Sequence, residues 1–321
     1  MKSFTKMLSC VVLGIASINI SAAQDSGPIR IIVPFAAGGP NDVVARLAAQ
    51  YLAAPLGKTV IVENKPGATG AIGSQLAADA KPDGNTLLLA SSSTMMAPII
   101  LNSVRFDPLD DFAPVGLIAL DENFLVVNPS VPVKTVQQLI DMARKEPGKL
   151  NYSTSGPGSS YHLGTELFSS ETGIEMVHVP YKGTAPAVLG LLSGEVQVQF
   201  QAISQGKQHI DAGKVIPLGI ASKNRHEDYP NIPTIAEAAN LPDFEFATWM
   251  GLFAPSGTPP ETLSTLRKAL KTAAQNPEFQ SRLKDLGMRP ISEPENEIMA
   301  RIAADLEKWG ALIKNKNLQL Q

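Results

Sequence analysis

The stretch Ile29 to Leu52, IRIIVPFAAGGPNDVVARLAAQYL, passes from an apolar strand to an amphipathic helix across one glycine pair. Few architectures accommodate that switch. Ile31, Ile32 and Val33 form a β-branched run without polar alternation, the pattern of a strand covered on both faces in a parallel sheet. Pro34 ends it. Beyond Gly38 and Gly39, the apolar positions Val44, Leu47, Ala48 and Tyr51 recur at helical spacing, so one helix face can pack back onto the sheet. Gly39 suits the N-cap, Pro40 suits the first helical position because it has no N–H to leave unpaired, and Asp42 falls in the first turn.

A strand–glycine–helix unit presents free backbone N–H groups and a partial positive charge at the carboxyl end of a strand, where open α/β sheets hold ligands. An anionic small molecule is the natural guest. The other reading is an ordinary βα turn in which the glycines serve tight geometry alone.

Residues 1–23 stand apart from this pattern. Lys2 and Lys6 make a positive start, Met7 to Ile20 an apolar run, and Ser21-Ala22-Ala23 a small-residue cleavage site, so an export signal is expected there. Cys10, the single cysteine, falls inside it. Thiol catalysis and cysteine metal sites are therefore excluded from residues 24–321. That length suffices for two domains with real cores. A net charge of −3 and 44% hydrophobic residues argue against nucleic-acid binding and against disorder. No later apolar run approaches the roughly 20 residues needed to cross a bilayer.

Further along, Thr59–Val62 and Leu87–Ala90 read as strands, with Gly67, Gly70 and Gly73 opening a helix between them. Their spacing suits either close packing or ligand contact. Ser91 to Thr94 place four hydroxyls at a strand's carboxyl end, and Val115 to Val127 reads as extended. The opening pattern then recurs: strand Lys149–Ser153, loop Thr154-Ser155-Gly156-Pro157-Gly158-Ser159-Ser160, and a helix carrying Leu163, Leu167 and Phe168. Two such units, one in each half of the chain, predict two lobes facing each other across a cleft, each offering a helix N-terminus. The second loop adds hydroxyl donors that suit a carboxylate. Thr258-Pro259 reads as an N-cap and first-position pair for a later helix, and Ile298, Ile302, Leu306, Trp309 and Ile313 mark the last one.

Chemistry-bearing motifs are missing. There is no GxxxxGK[ST], Gly156-x-Gly158 lacks the third glycine of a dinucleotide fingerprint, and no GxSxG elbow follows a strand. His162, His178, His209 and His226 are never three or four apart, so no helical zinc pair forms. The sequence describes a clamp, with no catalytic constellation, metal or cofactor.

Five motifs in order, Pro34-Phe35-x-x-Gly38-Gly39-x-x-Asp42, Glu63-Asn64-Lys65-Pro66-Gly67-Ala68-x-Gly70, Lys81-Pro82-Asp83-Gly84-x-Thr86-Leu87-Leu88, Val179-Pro180-Tyr181-Lys182-Gly183 and Gly251-Leu252-Phe253-Ala254-Pro255-x-Gly257-Thr258-Pro259, resemble the tripartite tricarboxylate transporter receptor family, also called the Bug family of periplasmic solute-binding proteins. The resemblance covers residues 24–321. It implies an α/β, type II periplasmic binding protein fold: two lobes of mixed β-sheet flanked by helices, with two interlobe crossings. It places these near Asp121–Val127 and Phe246–Phe253, so that residues 24–122 plus 245–321 form lobe one and residues 123–244 form lobe two. It implies capture of a small organic carboxylate, a dicarboxylate or an aromatic acid, and its delivery to membrane subunits of a transporter.

The ligand loops of the family fall on Phe35–Asp42 and Ser155–Ser160. Backbone donation is expected from Gly38, Gly39 and Gly158, hydroxyl donation from Ser155, Ser159, Ser160 and Thr94, orientation from Asn41, Asp42 and Gln201, and apolar walls from Phe35 and Tyr181. Two departures bear on the guest. Where the family has a D-V-x-F-D-N pattern, this chain has Gln197-Val198-Gln199-Phe200-Gln201-Ala202, which puts recognition of a ligand amino group in doubt. Met95-Met96 after Thr94 suits an apolar wall or plain core packing.

A receptor that docks on a membrane sensor kinase and an exported hydrolase using the Ser/Gly loop, with His162 as base, are the competing readings. A periplasmic, monomeric protein is expected.

Overall fold

The computed structural model describes residues 27–101 and 103–318. The expected export signal and Cys10 lie outside the described residues. The chain begins with strand β1 (Ile29–Val33), helix α1 (Pro40–Leu56) and strand β2 (Val60–Asn64). Helix α2 (Ala71–Ala78) and strand β3 (Thr86–Ser91) follow, then two single-turn helices, α3 (Ser92–Met95) and α4 (Ala97–Ile100). The long strand β4 (Phe112–Val127) leads through α5 (Val136–Lys145), β5 (Asn151–Thr154), α6 (Ser160–Thr172), β6 (Val177–Pro180), α7 (Thr184–Ser193), β7 (Val198–Ala202) and α8 (Ile203–Asp211) to β8 (Ile216–Ile220). The chain then runs through α9 (Ile235–Ala239), β9 (Ala247–Pro255), α10 (Pro260–Ala274), α11 (Pro277–Asp285), β10 (Arg289–Pro290) and α12 (Glu295–Asn315).

The fold is a curled mixed sheet with helices on both faces, organised as two lobes that share β4. Phe112 to Glu122 of β4 pair with β9, beyond which lie β3, β1 and β2. Asn123 to Val127 pair with β7, which continues to β5 and β6, while β8 pairs on the other edge of β4. Each half has its own core. Ile31, Val44, Leu52 and Leu252 with Leu266 of α10 fill one, and Leu139, Tyr152, Phe168, Phe200 and Phe244 fill another.

Register decides where a ligand can sit. β1 and β3 are parallel with Ile31 opposite Leu87, so the loop after β1 and the segment Ser91–Thr94 leave the same carboxyl edge. β5, β6 and β7 are parallel, with Tyr152 opposite both His178 and Val198, so Ser155, Tyr181 and Gln201 share the carboxyl edge of the other half. Ser91 is opposite Met250 and Leu120 opposite Trp249, while Gln201 and Ala202 are opposite Phe124 and Asn123. The two carboxyl edges therefore meet across the short β4 segment Asp121–Asn123.

Two local expectations are corrected. Thr258 does not cap α10: the N-cap is Pro259, the first position is Pro260, and the Thr258 hydroxyl donates to the Pro255 carbonyl at 2.7 Å. Either proline can begin a helix, and the second does. Ser91 to Thr94 form no open hydroxyl row, because Ser92–Met95 is a helical turn closed by a capping box between Ser91 and Thr94.

Candidate functional site

The loop after β1 is held by Asp42. Its Oδ2 accepts from the Gly38 N–H at 2.9 Å and from Arg46 Nε at 3.0 Å. Oδ1 accepts from Asn64 Nδ2 at 2.9 Å, and the same amide reaches the Phe35 carbonyl at 3.1 Å. Burial alone would raise the Asp42 carboxyl, but the donors of Arg46, Gly38 and Asn64 together hold it below the ordinary carboxylate value. Gly38 takes φ of +83°, a conformation that favours glycine, and Gly39 is the N-cap in extended conformation. The orientation role expected of Asp42 is thus directed at its own loop, and the Gly38 N–H is already bonded. What α1 leaves for a guest is its first-turn N–H groups, Asn41 and Asp42, which have no partner within the helix. Beside them the Asn41 Oδ1 is buried without a hydrogen-bond partner. Phe35 is half-buried against the α1 core.

Gly70 and Gly73 explain themselves by packing. A Cβ at Gly70 would lie 2.6 Å from Thr94 Cγ2, and one at Gly73 would lie 2.8 Å from Pro34 Cα. The expected Thr94 donor is engaged as well: its hydroxyl donates to the Ser91 carbonyl and accepts from the Ser91 N–H, both at 2.8 Å. The half-buried hydroxyl of this turn belongs to Ser93, 2.9 Å from Ser91 Oγ. Met95 and Met96 are core residues of two different clusters.

In the second half, Gly156 and Gly158 take φ of +128° and +71°, which turns the chain sharply into α6. Ser159 is the N-cap and its Oγ accepts from the His162 N–H at 3.3 Å. The Gly158 N–H donates to His162 Nδ1 at 3.2 Å, so this expected donor is occupied. Ser155 and Ser160 are half-buried at the mouth of the loop. The first-turn N–H groups of Ser160 and Tyr161 are the α6 counterparts of those on α1. The half-buried Tyr181 ring turns under α7, where a Cβ on Gly190 would lie 2.3 Å from its hydroxyl oxygen, and it packs against the core of the second half.

Gln201 is 1% exposed and neither of its amide atoms has a partner. Gln197, the other amide in place of an acid, ties strands together: its Oε1 accepts from the Asn151 N–H at 3.0 Å. Sequence spacing missed Asp121 at the crossing. Its Oδ2 accepts from Ser204 Oγ at 2.6 Å, and burial pushes it up to about 7 despite the Ser204 bonds, with neighbouring Glu122 adding to the rise.

Each half thus presents a helix N-terminus after a strand's carboxyl end, α1 in one and α6 in the other, with the unpartnered Asn41 Oδ1 beside α1, half-buried serine hydroxyls beside α6 and no lysine or arginine in either loop. Such an arrangement binds an anion through oriented N–H groups. It is poorly suited to hydrolysis. The His162 ring accepts from a backbone N–H and bonds no serine hydroxyl. The imidazole that meets a hydroxyl is His178, 2.7 Å from Thr154 Oγ1, but Thr154 is fully buried and burial with the nearby His162 pushes His178 down to about 4, too weak a base at neutral pH. Among the described residues no group of three metal-ligating side chains occurs, and no helix is long and apolar enough to cross a membrane.

Comparison with known proteins agrees with this geometry. The family described as the tripartite tricarboxylate transporter family receptor matches residues 44–318. Protein BugT of Bordetella pertussis is 32% identical over 326 residues, covering 99% of this chain and 100% of the relative. A Rhodopseudomonas palustris protein solved with adipate, Rpa4515, is 32% identical with a TM-score of 0.77, covering 91% of this chain and 97% of that one. MatC of the same organism, solved with bound malate, is 30% identical with a TM-score of 0.75, covering 89% and 98%.

Proposed function

We propose that this chain, which belongs to the tripartite tricarboxylate transporter receptor family, is an exported solute-binding protein that closes two lobes on a small organic dicarboxylate and delivers it to the membrane subunits of such a transporter. The single observation that carries the reading is the placement of the α1 and α6 N-termini on two carboxyl edges that meet at Asp121–Asn123. Residues 24–122 plus 245–321 serve as one jaw and residues 123–244 as the other, with β4 and the start of β9 as the hinge and the end of α12, Trp309 and Leu312, strapped onto the second core. One ligand carboxylate takes the first-turn N–H groups of α6 with Ser155 and Ser160. The Asn41 and Asp42 N–H groups, with Gly39, face it from α1, and ordered water completes the contacts. Adipate and malate bound to relatives at 32% and 30% identity are dicarboxylates, which supports the same class here. Gln201 places a neutral amide where an acid would favour an ammonium group, so amino acids bind less well than dicarboxylates. The protein acts by binding and carries no enzymatic step. Its place of work is the periplasm.

A thermal-melt screen of residues 24–321 against dicarboxylates, aromatic acids, amino acids, sugars and nucleotides tests the reading. A guest at 100 times its dissociation constant adds about 2.7 kcal/mol to the native state, enough to raise the melting temperature by several degrees. Stabilisation confined to carboxylates supports the proposal; stabilisation by sugars or nucleotides alone refutes it.

A further inference from the structure

Under the Ser/Gly loop of lobe two, three rings lie in a stack. Tyr152 of β5 and His178 of β6 have centroids 5.0 Å apart, and His178 and His162 of α6 have centroids 4.1 Å apart with planes within 13°. Both imidazoles hold the loop above them. His162 Nδ1 accepts the Gly158 N–H, so that nitrogen carries a lone pair and the neutral ring keeps its proton on Nε2. His178 Nε2 bonds Thr154 Oγ1 at 2.7 Å, and the same oxygen accepts the Gly156 N–H at 3.1 Å. Of the two glycines whose positive φ shapes the loop, Gly158 is held directly by His162, and Gly156 is held by Thr154, whose hydroxyl also donates to the Gly156 carbonyl at 3.2 Å and is braced by His178. Neither ring serves as base or ligand in the function proposed above.

The surroundings favour neutral rings. His162 is 5% exposed, and its burial lowers it from the ordinary value. Burial and the adjacent His162 push His178 down to about 4, partly offset by Glu166. The charged and titratable groups facing the stack are Glu166 of α6, which accepts from Tyr152 Oη at 2.6 Å, Tyr152 itself, and Lys316 beyond α12, 4.0 Å from Glu166. A proton on His162 Nδ1 would point at the Gly158 N–H, donor against donor. It would also place a cation in the first turn of α6, at the positive end of the helix dipole. A second proton would set two cations face to face at the stacking distance.

We propose that His162 and His178 are positioning residues for the ligand loop, His178 through Thr154 and His162 through the Gly158 N–H, and that His162 holds its glycine only while its ring is neutral, so that protonation of His162 frees the loop and weakens carboxylate binding. The inference rests on the function proposed above for what the loop binds, but the holding of the loop does not depend on it.

The experiment compares wild type, His162→Asn and His162→Leu from pH 8 to pH 5. Asparagine keeps an acceptor near the Nδ1 position and cannot be protonated; leucine fills space and accepts nothing. Two readouts are taken: hydrogen exchange of the 155–160 loop in the ligand-free protein, and affinity for adipate by titration calorimetry, each as the ratio to His162→Asn, which cancels the ligand's own titration and the intrinsic pH dependence of exchange. Below the His162 midpoint the wild-type ratio should fall by about tenfold per pH unit, the slope of one linked proton. His162→Asn should match wild type within about threefold at pH 8, and His162→Leu should be about tenfold weaker throughout. Imidazole NMR of wild type needs no variant: the His162 ring and the Gly158 amide should titrate together, with a midpoint below the ordinary histidine value. Equal profiles for wild type and His162→Asn, a Gly158 amide indifferent to the His162 titration, or affinity that rises with acid would overturn the proposal. A loop that opens with acid while adipate affinity ignores all the variants leaves the positioning role standing and instead refutes the loop as ligand site.

Discussion

Asp42→Asn tests how the first ligand loop is built. The carboxylate is 3% exposed and accepts three side-chain or loop donors through two oxygens. The amide keeps one oxygen and substitutes a donor for the other, so one of those three contacts becomes donor against donor. Arg46 is 55% exposed, and its pair with Asp42 contributes about 1 kcal/mol at most. A buried donor left without an acceptor costs about 1–3 kcal/mol, so the expected loss is in that range, mostly from the interior contacts. In a chain of this order each kcal/mol lowers the melting temperature by about 2–4 °C. The loss also has a pH signature. Because the folded Asp42 carboxyl lies below its unfolded value of 3.8, its contribution is fully present above that value and disappears as pH falls through the folded value. Urea unfolding of wild type and variant at a series of pH values measures both. A constant gap at neutral pH that narrows below about pH 4 is expected. Equal stability at pH 7, or a gap that persists undiminished at the acid end, would show that Asp42 does not organise the loop.

Ser159→Ala removes the α6 cap, so it should lower stability by about 1 kcal/mol as well as weaken dicarboxylate binding; chemical denaturation with no change in midpoint would contradict the cap. Asp121 is raised to about 7 in the fold, so the folded state holds a proton that the unfolded chain releases, and stability drains away as pH climbs from about 4 to about 7. Asp121→Asn keeps an oxygen for Ser204 and should flatten that stretch of the stability–pH curve; a curve that keeps the wild-type slope would place the titration elsewhere.

Much of this architecture was legible because its signals are local. The β1–α1 unit announces itself through Ile31–Val33, a glycine N-cap and Pro40, and the structure has that strand, that cap and that first residue. Thr135 caps α5 in the same local way, its hydroxyl accepting from the Gln138 N–H at 3.2 Å. Helix α8 was not legible, since Gly206 and a run of polar residues blur its periodicity; in the fold Gly206 lets it lie close against the Gln201 side chain. The site was legible only to the level of loops. Which N–H or hydroxyl stays available depends on partners far along the chain: Asn64 reaches Asp42 from β2, and Thr94 folds back on Ser91. The His162–His178 stack was beyond reach for the same reason. No spacing pairs those residues: the parallel register sets His178 beside Tyr152, and the first turn of α6 brings His162 onto the same stack.

The central claim is that one dicarboxylate bridges the α1 and α6 N-termini. Hydrogen exchange of residues 24–321 with and without saturating adipate, at neutral pH, tests it most directly. Protection that rises together in the 35–42 and 155–160 segments, with the hinge residues of β4 following, is the predicted result. Adipate binding that protects one segment alone, or a surface remote from both, would contradict it.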